Sequence, residues 1–157
     1  MGMPLESLAA LIISCAPMVA QDTAIKIIRH ESGGNPYAIG VNGPYVVRPQ
    51  PLNKEQAVAT ARKLLTLPGV RSIDVGFGQI NSDNFSWLGL TVESAFDGCT
   101  NIRSMQTILV NSYERHAKRL GPGQAALQAT LSEYNTGHPE RGLRNGYVRK
   151  IYMQPIK

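Results

Sequence analysis

The chain has 157 residues, 43% of them hydrophobic and 17% charged, with a net charge of +5 and a pI near 9.4. That length suits one domain, spanning residues 1–157, around one hydrophobic core, and the apolar content excludes global disorder. The positive balance points to an anionic partner. DNA, a membrane surface and an acidic cell wall all satisfy it, so charge alone chooses none of them.

The pattern along the chain is mostly helical. Leu5, Leu8, Ala9 and Ile12 form one stripe of a first amphipathic helix. The apolar run Leu8–Ile13 inside it is too short to cross a bilayer, and Glu6 stands where a signal peptide needs positive charge. No membrane insertion is expected, and no export signal is found in this chain. A second helix is expected from Pro17 or Met18 to about Glu31, with Ala20, Ala24, Ile27 and Ile28 inward. Ser32-Gly33-Gly34-Asn35-Pro36 ends it, because glycine and proline continue a helix poorly.

Tyr37–Pro51 reads as irregular, with a turn at Gly43-Pro44 and a short strand at Tyr45–Arg48. Asn53 caps a helix running to about Leu67, with Gln56 at the reciprocal capping position and Ala57, Val58, Ala61, Leu64 and Leu65 inward. Arg71–Val75 is a strand able to pair with Tyr45–Arg48 as a small hairpin. Helical turns follow at Ser82–Trp87 and Val92–Phe96, then a long helix from about Asn101 to Leu120 with Ile102, Met105, Ile108 and Leu109 inward. Gln124–Tyr134 and Tyr147–Met153 complete a mainly α fold with at most a small β-hairpin.

Glu31 breaks the pattern. It continues the stripe of Ile27 and Ile28, so a carboxylate points along the core face at the negative end of a helix. Desolvation and the helix dipole both raise its pKa, toward what a general acid at neutral pH needs. The competing reading is a frayed helix end with Glu31 in solvent.

Cys15 and Cys99 are the two cysteines. They form no Cys-x-x-Cys and no zinc-ligand spacing with histidine, so no metal site is expected. By themselves they fit two buried thiols in a reducing compartment as well as one disulfide in an oxidising one.

Three blocks now bear on Glu31. His30-Glu31-Ser32-Gly33-Gly34-Asn35-Pro36, Gly76-Phe77-Gly78-Gln79-Ile80-Asn81 and Glu133-Tyr134-Asn135-Thr136-Gly137 occur in that order. They resemble the Glu-Ser, Gly-x-x-Gln and Tyr-Asn-x-Gly motifs of family 1 lytic transglycosylases, whose catalytic domain has the goose-type lysozyme-like fold. Cys15-Ala16-Pro17, Asn35–Val41, Val75–Asn81 and Ala95–Ile102 further resemble the transglycosylases of VirB-type type IV secretion systems. That similarity extends over nearly the whole chain.

The resemblance implies a single catalytic glutamate, Glu31, acting without metal or cofactor. Glu31 would protonate the oxygen joining N-acetylmuramic acid to N-acetylglucosamine in peptidoglycan glycan strands. It would then take the proton of the C6 hydroxyl as a 1,6-anhydro ring closes. Ser32 would help orient Glu31, Gly76 would shape the turn that presents Gln79, and Gln79 and Asn81 would serve the substrate side. Tyr134 would reach Glu31 with its hydroxyl, and Asn135 would contact sugar or hold its turn. The resemblance also implies a Cys15–Cys99 disulfide, a periplasmic location, and type IV secretion system subunits as partners.

Two positions depart from the family pattern. Glu133 stands where many members carry a small or apolar residue and reads as a solvent-facing carboxylate in preference to a second acid near the cleft. Phe77-Gly78 replaces a common Leu-Met, leaving less side-chain volume beside the cleft. His30 points about 100° away from Glu31 on a helix and makes no catalytic pair with it. His116 and His138 show no ligand spacing, and the basic stretch Arg141, Arg144, Arg149, Lys150 with Tyr147 and Tyr152 reads as a solvated face. A lysozyme-type hydrolase and a non-catalytic wall-binding scaffold are the competing functions. Nucleic-acid binding has charge but no recognition motif in its favour.

Overall fold

Apolar stripes at helical spacing set the architecture, which a computed structural model describes for residues 2–156. Met1 and Lys157, the ends of the expected 1–157 domain, lie outside the described residues. Helix α1 (Leu5–Cys15) buries Leu8, Ile12 and Cys15, and α2 (Gln21–Ser32) buries Ala24, Ile25, Ile27 and Ile28. Strand β1 (Ile39–Asn42) is followed by α3 (Lys54–Leu64), β2 (Ser72–Val75) and β3 (Ile80–Asn81). A 3₁₀ turn (Ser82–Asn84) leads into the short helices α4 (Phe85–Leu88) and α5 (Val92–Ala95). The long helix α6 (Gly98–Leu120), then α7 (Gln124–Thr136), α8 (Arg141–Arg144) and α9 (Tyr147–Met153) complete the chain.

Helix α6 is the axis of the molecule. Its 23 residues span about 34 Å, and it buries Ile102, Met105 and Leu109. Helices α1 and α7 pack along it, α1 also meets α2, and α9 closes against α2, α7 and α8. Cys15 and Cys99 form a disulfide that fastens the end of α1 to the first turn of α6, as the family resemblance implied. Asp97 caps that turn by accepting from Thr100 N at 3.0 Å and Thr100 Oγ1 at 2.8 Å. The cap explains why α6 begins earlier than the expected Asn101.

The sheet differs from the expected hairpin. It has three antiparallel strands in the order β1-β2-β3, and the partner of β2 is Ile39–Asn42 rather than Tyr45–Arg48. Ile39 lies opposite Val75 and Asn42 opposite Ser72, while Asp74 pairs with Asn81 and Val75 with Ile80. Gly43-Pro44 ends a strand instead of preceding one. A Cβ on Gly43 would stand 2.6 Å from Gly69 O, so the chain hugs residues 69–70 there and turns away. Val46 is accordingly exposed, and Tyr45 Oη donates to Pro68 O at 3.1 Å.

Other boundaries shift for local reasons. The chain between α1 and α2 is held off helix by Met18 N, which donates to Gln106 Oε1 at 2.7 Å, so α2 starts at Gln21 and Ala20 is exposed. Asn53 caps α3 through Gln56 N at 2.9 Å, whereas Gln56 Oε1 accepts from Leu52 N instead of Asn53 N. The end of α3 tightens as Thr66 N and Leu67 N donate to Lys63 O and Leu64 O, which leaves Leu65 exposed.

In the chain-entropy account, the bridge across a separation of 84 residues contributes about 4–5 kcal/mol of stability. The paired Cys15→Ser and Cys99→Ser variant is therefore expected to lose about that much unfolding free energy. Urea titration by circular dichroism measures it, and an unchanged midpoint contradicts it.

Candidate active site

Glu31 sits in the last turn of α2, and Gly33, in the left-handed conformation at φ 64°, ends the helix by donating to Arg29 O. The buried isoleucines before Glu31 aim it inward, as the stripe predicts, and it does not fray into solvent. Its Oε2 accepts a hydrogen bond of 2.5 Å from Tyr147 Oη. Burial is the main influence on the carboxyl and raises its pKa; the Tyr147 hydrogen bond opposes this and the Asp74 charge adds to it, for a value of about 7.

Tyr147 opens α9 and is 4% exposed. Its position is fixed by its own backbone N–H, which donates to Asn145 Oδ1 at 2.9 Å, and by the His30 ring, whose centroid lies 5.1 Å away edge-on. Burial and the neighbouring Glu31 charge raise the Tyr147 phenol well above its ordinary pKa, so it stays a donor. Tyr147 thus takes the place expected of Tyr134, and the supposed solvated face at 141–152 has a buried side. Val148 and Ile151 are buried with it, and that spacing was the signal in the sequence for an inward tyrosine.

The 76–79 turn is tied to three helices. Gly76 is left-handed at φ 76°, and a Cβ there would fall 2.3 Å from Asn101 Nδ2. Asn101, buried on α6, donates to Val75 O at 2.9 Å and Ala95 O at 2.8 Å and accepts from Gly78 N at 2.9 Å. Ser32 Oγ lies 2.8 Å from Phe77 O and 3.1 Å from Ile28 O, binding the end of α2 to the turn rather than touching Glu31. Tyr134 Oη donates to Gly78 O at 2.6 Å. A side chain at Gly78 would meet that hydroxyl at 2.9 Å, so the missing volume is filled internally by Tyr134 and Met105 and does not open the cleft.

Gln79 is the one non-glycine residue at positive φ, 52°, among the described residues. Such a conformation persists where its surroundings over-determine it. Here Gln79 Nε2 donates to Ala38 O and Gly76 O, both at 3.1 Å. Beside it the sheet presents Asp74, which accepts from Asn81 Nδ2 at 2.9 Å and Asn42 Nδ2 at 3.1 Å. Burial outweighs these bonds and raises the Asp74 pKa. Asp74 carried no periodicity or motif signal; only the β2–β3 register brings it to Asn81.

These residues border a cleft of about 630 Å³, whose lining includes Asp74, Gln79, Asn81, Trp87, Tyr134 and Asn135. Its size is that of a small-molecule site. Glu31 is not among the residues lining this cleft, but Asp74 and Tyr134 are, and the charges of Asp74 and Glu31 raise the Glu31 and Tyr134 pKa values respectively. Asn135 Oδ1 accepts from Asn145 Nδ2 at 3.2 Å.

Glu133 does not face solvent freely. It accepts from Arg115 Nη2 at 2.5 Å and Ser112 Oγ at 2.7 Å, and His116 Nε2 lies 3.2 Å away. Arg119 can only donate to His116 Nδ1, at 3.0 Å, so His116 Nε2 carries the proton toward Glu133. Burial pushes the Glu133 pKa up, but the Arg115 and Ser112 hydrogen bonds and the Arg115 charge prevail and bring it to about 2. Glu133 is thus a fixed anion joining α6 to α7, not a second proton donor. Among the described residues no group of His, Cys, Asp and Glu could hold a metal, and no helix is long and apolar enough to cross a membrane.

An acid held near neutrality beside a polar cleft, on a helical scaffold with a small sheet, is what a lysozyme-like glycan-cleaving domain presents. Residues 10–150 match the family described as the transglycosylase SLT domain, and the chain belongs to that family. It is similar to the type IV secretion system protein virB1 of Brucella abortus biovar 1 (strain 9-941), with 37% identity over 143 residues, 90% of this chain and 59% of that protein. It is 38% identical over 138 residues to the protein virB1 of Agrobacterium tumefaciens (strain 15955), covering 87% of this chain and 56% of the relative. The chain therefore spans less than two thirds of the length of these relatives. No solved structure matches it.

A Glu31 pKa raised from 4.5 to about 7 makes stability fall as pH rises through that window, because the folded state there holds a proton the unfolded state has lost. The decline attributable to Glu31 is about 3 kcal/mol. It is expected to vanish in Glu31→Gln when urea midpoints are compared between pH 4 and pH 8. In Tyr147→Phe, which removes the bond favouring the carboxylate, the Glu31 pKa should rise further, as followed by carboxyl carbon NMR; a fall would contradict the assignment.

Proposed function

We propose that this chain acts as one catalytic domain, a peptidoglycan lytic transglycosylase that cleaves the β-1,4 bond between N-acetylmuramic acid and N-acetylglucosamine. The observation carrying the reading is Glu31: a carboxyl at the edge of the core whose pKa is about 7 and whose one side-chain partner among the described residues is the Tyr147 hydroxyl. A group poised there is protonated often enough to donate and basic enough to accept afterwards.

Glu31 gives its proton to the glycosidic oxygen as the bond to C1 of the muramoyl residue breaks. The 2-acetamido oxygen of that residue shields the developing positive charge. Tyr147 Oη keeps its hydrogen bond to the new carboxylate, which then takes the C6 hydroxyl proton while O6 closes on C1. Glu31 ends protonated, the product is a 1,6-anhydro sugar, and no water, metal or cofactor is consumed. One carboxyl performs both transfers, unlike the two-carboxylate scheme of most glycosidases.

In this reading Gln79, Asn81 and Asn135 face the glycan, while Ser32, Gly76 and Tyr134 hold the turn that presents Gln79. The similarity to virB1 proteins and the Cys15–Cys99 bridge support action in the periplasm beside subunits of a type IV secretion system, where the enzyme opens the wall locally. Asp74 favours one alternative. A second carboxyl at the cleft could orient water and yield a reducing sugar, as in a lysozyme.

Digestion of purified sacculi followed by mass spectrometry tests the reading. The expected products end in 1,6-anhydro-N-acetylmuramic acid, and hydrolysed reducing ends in their place favour the lysozyme. Glu31→Gln should lower product formation by at least about a thousandfold, on the order of 4 kcal/mol of transition-state stabilisation. Digestion at the parent rate rejects Glu31 as the acid, and an inactive parent chain favours a wall-binding scaffold.

A further inference from the structure

Trp87 is the only tryptophan in the chain. It sits on α4, whose buried Phe85 anchors the helix while the indole remains 53% exposed. The ring is nonetheless oriented, because Nε1 donates to Asn84 Oδ1 at 2.9 Å. It borders the 630 Å³ cleft and also a second hollow of about 330 Å³ that includes Arg103, Ser104 and Thr107 of α6. Trp87 therefore stands on the ridge between two polar depressions.

We propose that Trp87 is a glycan-stacking platform that carries a strand from the catalytic cleft into the second hollow, and so determines affinity for extended strands. The proposal rests on the reading of the cleft as a glycan site. A pyranose ring in a β-1,4-linked strand offers an apolar face of C–H bonds and a polar rim. An exposed aromatic face is the complement of the first, and side-chain amides are the complement of the second. Asn84 and Asn111 line the cleft with Trp87 and supply those amides. With its N–H already engaged by Asn84, the indole recognises sugar by its face and not by donating a hydrogen bond. The exposed Val46 and Leu52 have no such setting, since neither lines the cleft or the second hollow.

A single tryptophan makes the test direct, because all indole emission comes from the proposed subsite. Glu31→Gln protein, which binds without turning over, is titrated with chitohexaose, following fluorescence and, separately, calorimetric heat. The expected result is a saturable change in emission with the same Kd as the heat. Adding Trp87→Ala should weaken calorimetric binding about tenfold, whereas Trp87→Phe should retain most of the affinity. Thermal melts establish that both variants are folded. Calorimetric binding with unchanged emission, or equal affinity in folded Trp87→Ala, overturns the platform and leaves the glycan site standing. No binding of chitohexaose or of peptide-free peptidoglycan strands by Glu31→Gln overturns both.

Discussion

The energetic problem at the centre of this molecule is a carboxyl at the end of a core-facing helical stripe. Keeping Glu31 ionised there costs about 3 kcal/mol relative to water, judging from its pKa of about 7. Ile25, Ile27 and Ile28 on the same helix are fully buried, and each contributes roughly 1.5–3 kcal/mol. The helix can therefore hold its terminal turn inward despite the acid. Among the described residues the Tyr147 hydroxyl is the one side chain that compensates the carboxylate by hydrogen bonding, and it offsets only part of the desolvation. That incomplete compensation is what leaves the proton exchangeable near neutral pH.

Several side chains near Glu31 hold the neighbouring turn in place. The 76–79 turn has each of its first three carbonyls engaged, by Gln79, Ser32 and Tyr134 respectively. Asn101 crosses beneath it, satisfying both Val75 O and Gly78 N from one buried amide. Glu133 performs the same service for the far wall, where its low pKa keeps the link between α6 and α7 charged. The contrast between Glu31 and Glu133 is a contrast of partners: a neutral phenol leaves one acid near pH 7, and a guanidinium holds the other near 2. Only the first has a pKa near neutral pH.

Much of this was legible along the chain because it depends on local order. The stripes of α1, α2, α3 and α6, the Asn53 cap and the glycine stop after Ser32 arise from neighbours within a few residues. Glu31 could be singled out for the same reason, since its anomaly is a matter of spacing from Ile27 and Ile28. Tyr45–Arg48 misled because an apolar run after a turn resembles a strand. Whether it pairs depends on the approach of Gly43 to Gly69, a contact across 26 positions. Tyr134 lines the cleft, but its hydroxyl reaches Gly78 O instead of Glu31. A tyrosine can be located by its motif, whereas the carbonyl its hydroxyl reaches depends on how α7 lies over the turn.

The sequence by itself determined a mainly helical domain and the inward placement of Glu31 and, through family resemblance, the lysozyme-like class and the bond between Cys15 and Cys99. These rest on periodicity, capping and ordered motifs, all carried by residue type and spacing. Only the tertiary structure decided that Tyr147 holds Glu31, that Asp74 joins the cleft through strand register, that Glu133 is locked as an anion, and that Trp87 stands between two hollows. Each of these joins different elements or separate surfaces. Hydrogen bonds, desolvation and cleft walls arise from proximity in space, which spacing along a helix or strand does not encode.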